Sequence, residues 1–223
     1  MSVSINLQKI RSTLPREVKL IAVSKTMPDQ VVMEAYEAGQ RAFGENKAQD
    51  MSARYPRLPQ DCEWHFIGHL QTNKVKYIAP FVSMIHSVDS FRLLQEINRQ
   101  AAKHHRIIPC LLQFYIAEEE TKFGLDRQEA AALLQTLSSS PLMNVRIAGV
   151  MGMATYTDNM QQVRREFAHL RQEFEWLKHN YFPDNEYFKE ISMGMTNDYQ
   201  VAVDEGSTMV RIGSAIFGDR HYR

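Results

Sequence analysis

The residues of this chain that could do chemistry are few, and the first is a lysine. In KLIAVSKTMPD, residues 19–29, the apolar positions Leu20 to Val23 read as a buried strand that delivers Lys25 at its end. An ammonium group held at the mouth of a core loses hydration, so its pKa is expected to fall and its neutral amine to become available for a Schiff base with a carbonyl. The second group lies in EISMGMTNDYQVAVDEGSTMVRIGSAIFG, residues 190–218. Ser192, Gly194 and Thr196 mark one strand-to-helix transition there, and Gly213 and Ser214 mark another. Glycine lets the backbone approach an anion and hydroxyls add donors, so the two clusters together read as a phosphate cradle. The third is Arg211, a permanent cation inside MVRIG that needs an acceptor, either a structural ion pair or a ligand atom. No GxxxxGK[ST] pattern is present, which argues against a nucleoside triphosphate.

Short apolar runs alternate with helical segments along the chain and must position these groups. The strands are predicted at VKLIAVS (18–24), RAFGE (41–45), EWHFIG (63–68) and VSMIHSV (82–88). Four more follow at IIPCLLQFYI (107–116), RIAGVMG (146–152), EYFKEISMG (186–194) and STMVRIG (207–213). Val163, Phe167, Leu170, Phe174, Leu177 and Tyr181 recur by threes and fours, one face of a helix. Pro28 opens another helix that Gly39 would stop, and Asp89 or Ser90 would cap a third. Eight strands separated by single helical segments imply a parallel sheet, and within 223 residues a single (β/α)8 TIM-type barrel is favoured over an open doubly wound sheet. INLQKIRSTL adds a helix before the first strand, and residues 1–223 read as one domain. In such a barrel the strand ends that carry Lys25, Gly194 and Gly213 share one mouth.

Composition narrows the partners. Formal net charge is +0, which gives no global pull toward nucleic acid or an anionic membrane. No apolar stretch approaches the roughly 18 residues of a membrane span, and the N-terminus lacks a secretory signal's apolar core. Cys62 and Cys110 have no metal or redox spacing and read as reduced thiols of a cytoplasmic protein.

An aldehyde-reactive lysine, a phosphate cradle and a buried arginine together fit pyridoxal 5′-phosphate (PLP). The motifs AVSKT, FGEN, WHFIGHLQTNK, SMGMTND and GSTMVRIGSAIFG resemble the pyridoxal phosphate homeostasis protein family, from about residue 18 onward. The resemblance implies a PLP barrel like the N-terminal domain of alanine racemase, with the cofactor on Lys25. It also implies that Ser192 and the backbone around Met193 and Gly194 hold the phosphate, with Gly213 and Ser214 on its other side. Arg211 would face the pyridine nitrogen and Asn46 would lie near the ring. MTND departs from the expected MSDD: Thr196 keeps a hydroxyl, whereas Asn197 removes a charge. The function implied is a monomeric PLP carrier or regulator in vitamin B6 and amino-acid balance, without established catalysis and with PLP-dependent apoenzymes as recipients.

Arginine opposite the pyridine nitrogen has no acceptor to offer, so the ring would stay largely unprotonated and be a weak electron sink. Racemases of this fold add a tyrosine base from a second domain, for which a chain ending at Arg223 leaves no room. Holding PLP is therefore expected rather than turnover. The alternatives are a single-domain racemase-like enzyme, with its second base inside the barrel, and a cofactor-free Schiff-base aldolase. His65 and His69 form HxxxH but fall on a strand and loop, which disfavours a metal site. Lys74, Lys76 and Lys122 read as surface charge with a conceivable part in PLP handling, and Met151, Met153, Met193 and Met195 as core residues that could reach the pocket.

Overall fold

A computed structural model describes residues 2–118 and 124–218. Eight strands follow in chain order: β1 (Lys19–Val23), β2 (Ala42–Glu45), β3 (Glu63–Phe66), β4 (Met84–Val88), β5 (Ile108–Gln113), β6 (Val145–Met151), β7 (Glu190–Ser192) and β8 (Met209–Ile212). Each pairs in parallel with the next, and β8 closes on β1 through Lys19↔Met209 to Ala22↔Ile212. This is the (β/α)8 barrel expected from the alternation of apolar runs. The largest departure is the seventh strand, which spans only Glu190–Ser192. The apolar residues before it serve elsewhere, since Phe188 stacks on Phe174 and Phe182 outside the sheet.

The helices are α1 (Val3–Thr13), α2 (Asp29–Glu37), α3 (Ala48–Arg54), α4 (Val75–Ile78), α5 (Phe91–Lys103), α6 (Arg127–Ser139), α7 (Met160–Tyr181), α8 (Tyr199–Asp204) and α9 (Ser214–Phe217). Their ends are set by local chemistry. Ser90 accepts from Leu93 N at the start of α5, and Asp126 with Glu129 forms a reciprocal capping box on α6. Gly39, just past α2, has φ +86°, the left-handed conformation that glycine adopts without a Cβ penalty. On α7 the expected face is buried from Val163 to Leu177, with Tyr181 half-buried.

Alternate strand residues face opposite sides of the sheet. One set, including Leu20, Phe43, Trp64, Ile85, Leu112, Val150 and Val210, joins the helices in the main apolar cluster. Leu111, Ala148 and Met151 form a small separate cluster. The N-terminal helix α1 braces both ends of the barrel: Asn6 Nδ2 donates to Ile216 O of α9 at 2.9 Å at the site end, and Arg11 donates to Ala38 O and Gln40 Oε1 at the opposite end. No helix among the described residues is long and apolar enough to cross a membrane.

Candidate functional site

A cavity of about 570 Å³ opens at the C-terminal ends of the strands. Lys25 enters it from β1, Asn46 from β2, His69 from β3 and Asp89 from β4. On the far side lie Met195 to Asp198 after β7, then Arg211, Gly213 and Ser214 of β8 and its loop. Lys25, Asn46, Arg211, Gly213 and Ser214, expected to act together, thus share one wall-to-wall space.

Lys25 is half-buried in a tight turn in which Met27 N donates to Ser24 O at 3.1 Å. Thr26, the third residue of that turn, has φ +67°, where glycine is usual and a β-branched residue is strained. The strain is held from outside by Arg54 of α3, which donates to Ser24 O (2.9 Å), to Met27 O and to Asp29 Oδ1 (3.1 Å). Arg54 also pairs with Glu45 Oε1 at 2.6 Å, and Ser24 Oγ donates to the same oxygen at 2.8 Å. Burial raises the Glu45 carboxyl above its ordinary value, with Arg54 opposing. This clamp was not foreseen: FGEN was legible as a motif, but nothing local says that Glu45 meets an arginine on the next helix.

Asn46 is seated by Gly68. A Cβ at Gly68 would lie 2.3 Å from Asn46 O, so only glycine permits this approach.

The phosphate-like end is formed by two loops that touch. Ser214 Oγ donates to Thr196 Oγ1 at 3.2 Å, bridging the β7 and β8 loops. Met195 N donates to Asp198 Oδ1 at 2.5 Å, which closes the β7 loop. Burial raises the Asp198 carboxyl despite nearby Arg211. Hydrogen bonding in α9 begins with Ile216 N and Phe217 N donating to Gly213 O, so the N–H groups of Ser214 and Ala215 have no intrahelical acceptor.

Ser192, Met193 and Gly194, also expected at the phosphate, do not line this cavity. Ser192 is wholly buried a step below the mouth, where its hydroxyl meets His86 at 2.9 Å and Arg211 at 2.6 Å. Met193, the next residue along, faces the opposite way and belongs to the apolar layer under the helices. Gly194 shapes the loop without lining the cavity: with φ +94°, its Cβ would lie 2.6 Å from Ala202 Cβ. Of the four methionines, Met153 and Met195 in the loops line the cavity, while Met151 and Met193 do not.

Arg211 is 4 % exposed, and neutral oxygens meet it: Ser192 O at 2.8 Å, Ser192 Oγ at 2.6 Å and Gly152 O at 3.0 Å. Burial lowers its pKa to about 10, still cationic at neutral pH, and Asp198 opposes the shift. The histidines of HxxxH part company. His65 is buried beside His86, whereas His69 is on the cavity rim, 3.7 Å from Asp89. His69 and Asp89 were not expected in the site, and neither was the Tyr156 that lines its edge. Lys74 and Lys76 flank the Tyr77 ring; Lys122 lies outside the described residues.

The model of the family described as "Alanine racemase, N-terminal domain" matches residues 2–221, which sets the class of barrel. Alanine racemase of Bacillus anthracis shares the fold, at TM-score 0.75 and 16% identity over 99% of this chain and 56% of that one. Nearer in sequence is the pyridoxal phosphate homeostasis protein of Aquifex aeolicus, 40% identical over 205 residues, 92% of this chain and 88% of the relative. That of Escherichia coli K12 is 34% identical over 93% of this chain and 88% of its own length. PipY of Synechococcus elongatus, solved with PLP bound, superposes at TM-score 0.88 with 36% identity, covering 97% of this chain and 100% of PipY. The chain belongs to the pyridoxal phosphate homeostasis protein family.

Proposed function

We propose that this protein binds PLP in the barrel mouth and serves vitamin B6 and amino-acid homeostasis by holding and releasing it. One observation carries the reading: a lysine amine, an amide, an arginine and a two-loop hydroxyl cradle line a single cavity. The donor set fits the ligand, because every polar need of a phosphorylated pyridine aldehyde has a matching group on the wall. When bound, PLP supplies an aldehyde able to condense with an amine. Lys25 offers that amine from a turn clamped by Arg54. Thr196, Ser214 and the first N–H groups of α9 offer donors to the phosphate. Arg211 offers only N–H groups to a ring nitrogen and opposes its protonation, which suits storage better than carbanion chemistry. Residues 1–223 act as one PLP-binding domain, and the protein works as a cytoplasmic monomer that passes PLP to apoenzymes.

A second reading, a racemase-like enzyme, draws on the His69–Asp89 pair on the cavity wall. Borohydride reduction followed by digestion and mass spectrometry tests the first. PLP is expected on the peptide containing Lys25 and on no peptide of Lys25→Ala. Equal labelling of the variant would refute the assignment, and alanine racemisation that depends on His69 would favour the second reading.

A further inference from the structure

A polar chain runs through the middle of the barrel beneath the ligand cavity. His65 Nδ1 lies 2.9 Å from His86 Nε2, and His86 Nδ1 lies 2.9 Å from Ser192 Oγ, which accepts from Arg211 Nη1 at 2.6 Å. His86 on β4 and Ser192 on β7 are not on neighbouring strands, so their bond crosses the interior. All four side chains are buried. At the far end His65 Nε2 has no hydrogen-bond partner among the described residues, yet it lies 3.8 Å from Glu63 Oε2. Glu63 in turn holds Lys19 at 2.7 Å on the half-exposed opposite mouth of the barrel.

The protons on this chain can be ordered in one direction. Arginine has no acceptor, so Ser192 Oγ accepts from Arg211, and its own proton has His86 Nδ1 as the remaining partner. His86 then carries its proton on Nε2 and donates to His65 Nδ1, which puts the proton of His65 on Nε2, facing the Glu63 carboxylate. The reverse order would leave the Ser192 proton without an acceptor and turn a bare nitrogen of His65 toward a carboxylate. Burial lowers the pKa of both rings, in keeping with neutral imidazoles.

We infer that His65 and His86 are positioning residues, forming with Ser192 a one-directional hydrogen-bond chain from Arg211 to Glu63 that fixes the guanidinium in the orientation it presents to the cavity. The cation at one end and the carboxylate at the other polarise every link in the same sense. The inference rests on the reading of Arg211 as a ligand-facing group.

Nitrogen-15 NMR of the imidazoles in PLP-free protein tests the chain independently of the cofactor. Both rings are expected to be protonated at Nε2, and a proton on Nδ1 of either would overturn the order. In PLP-loaded protein, His86→Leu and Ser192→Ala break adjacent links. Each is expected to weaken PLP binding on the order of tenfold, the size of one charge-assisted hydrogen bond, and to shift the absorbance maximum of bound PLP. The double variant is expected to lose little more than either single one, because one break already interrupts the chain. Unchanged affinity and absorbance in the folded variants, or fully additive losses, would overturn the positioning role. Failure of the PLP reading itself would appear separately, as labelling that does not depend on Lys25.

Discussion

Arg54→Met is the most exacting perturbation of the site, because it removes the clamp on the Lys25 turn without touching the cavity. Glu45 is 1 % exposed, and its carboxylate would keep only the Ser24 hydroxyl as a partner. Removing one member of a buried ion pair costs about 3–5 kcal/mol, since the other charge stays desolvated. Against a total stability of about 5–15 kcal/mol, that is a large fraction. Arg57→Met is the control: Arg57 binds the same Asp29, but its side chain is 53% exposed, so water screens the pair and its loss is expected to cost far less. Urea unfolding followed by the fluorescence of Trp64, which is buried against Phe43, measures both. The pH dependence adds a second constraint. The Glu45 carboxyl is raised above 4.5 by burial, so the folded state holds its proton more tightly than the unfolded state. Ionising it therefore removes stability as pH rises from the unfolded value through the folded one, and below that window the stability is fully present. Arg54 limits this loss. The deficit of Arg54→Met is thus expected to be largest near about pH 7 and to shrink toward about pH 5. A deficit below about 1 kcal/mol at neutral pH, or one that grows on acidification, would refute the buried-pair argument.

Two other outcomes are expected. Replacing both Thr196 and Ser214 by alanine should weaken PLP binding by about tenfold or more while leaving pyridoxal, which lacks the phosphate, unaffected in fluorescence titrations. Equal losses for both ligands would take these hydroxyls off the phosphate. Burial pushes the Cys62 thiol up to about 11 and the Cys110 thiol higher still, so neither should react with a disulfide reagent near about pH 8 until the protein is denatured. Rapid labelling of folded protein would contradict the packing around Cys62.

The order of strands and helices was legible in the sequence because the buried parallel strands fall in short, largely apolar runs, and a run of this kind can be read without knowing its neighbours. The placing of Lys25 at the end of β1, and of Gly213 and Ser214 at the end of β8, followed from the same runs once the barrel was inferred. Ser192 and Met193 were a different matter. They are adjacent in SMGM, yet one enters the barrel and the other packs under the helices, and a shift of a single residue would exchange them.

Only the closed barrel decides which parity faces inward. The polar chain shows the same limit, since His86 and Ser192 are brought into contact over a sequence separation of 106. Local propensity and periodicity say nothing about such a pair. The Glu45–Arg54 clamp and the His69–Asp89 pair likewise depend on how neighbouring elements pack. The sequence alone determined which segments become strands and which loops carry the reactive groups, because those are properties of the local chain. Tertiary structure decided which buried polar groups satisfy one another, because that depends on distances set by closing the sheet.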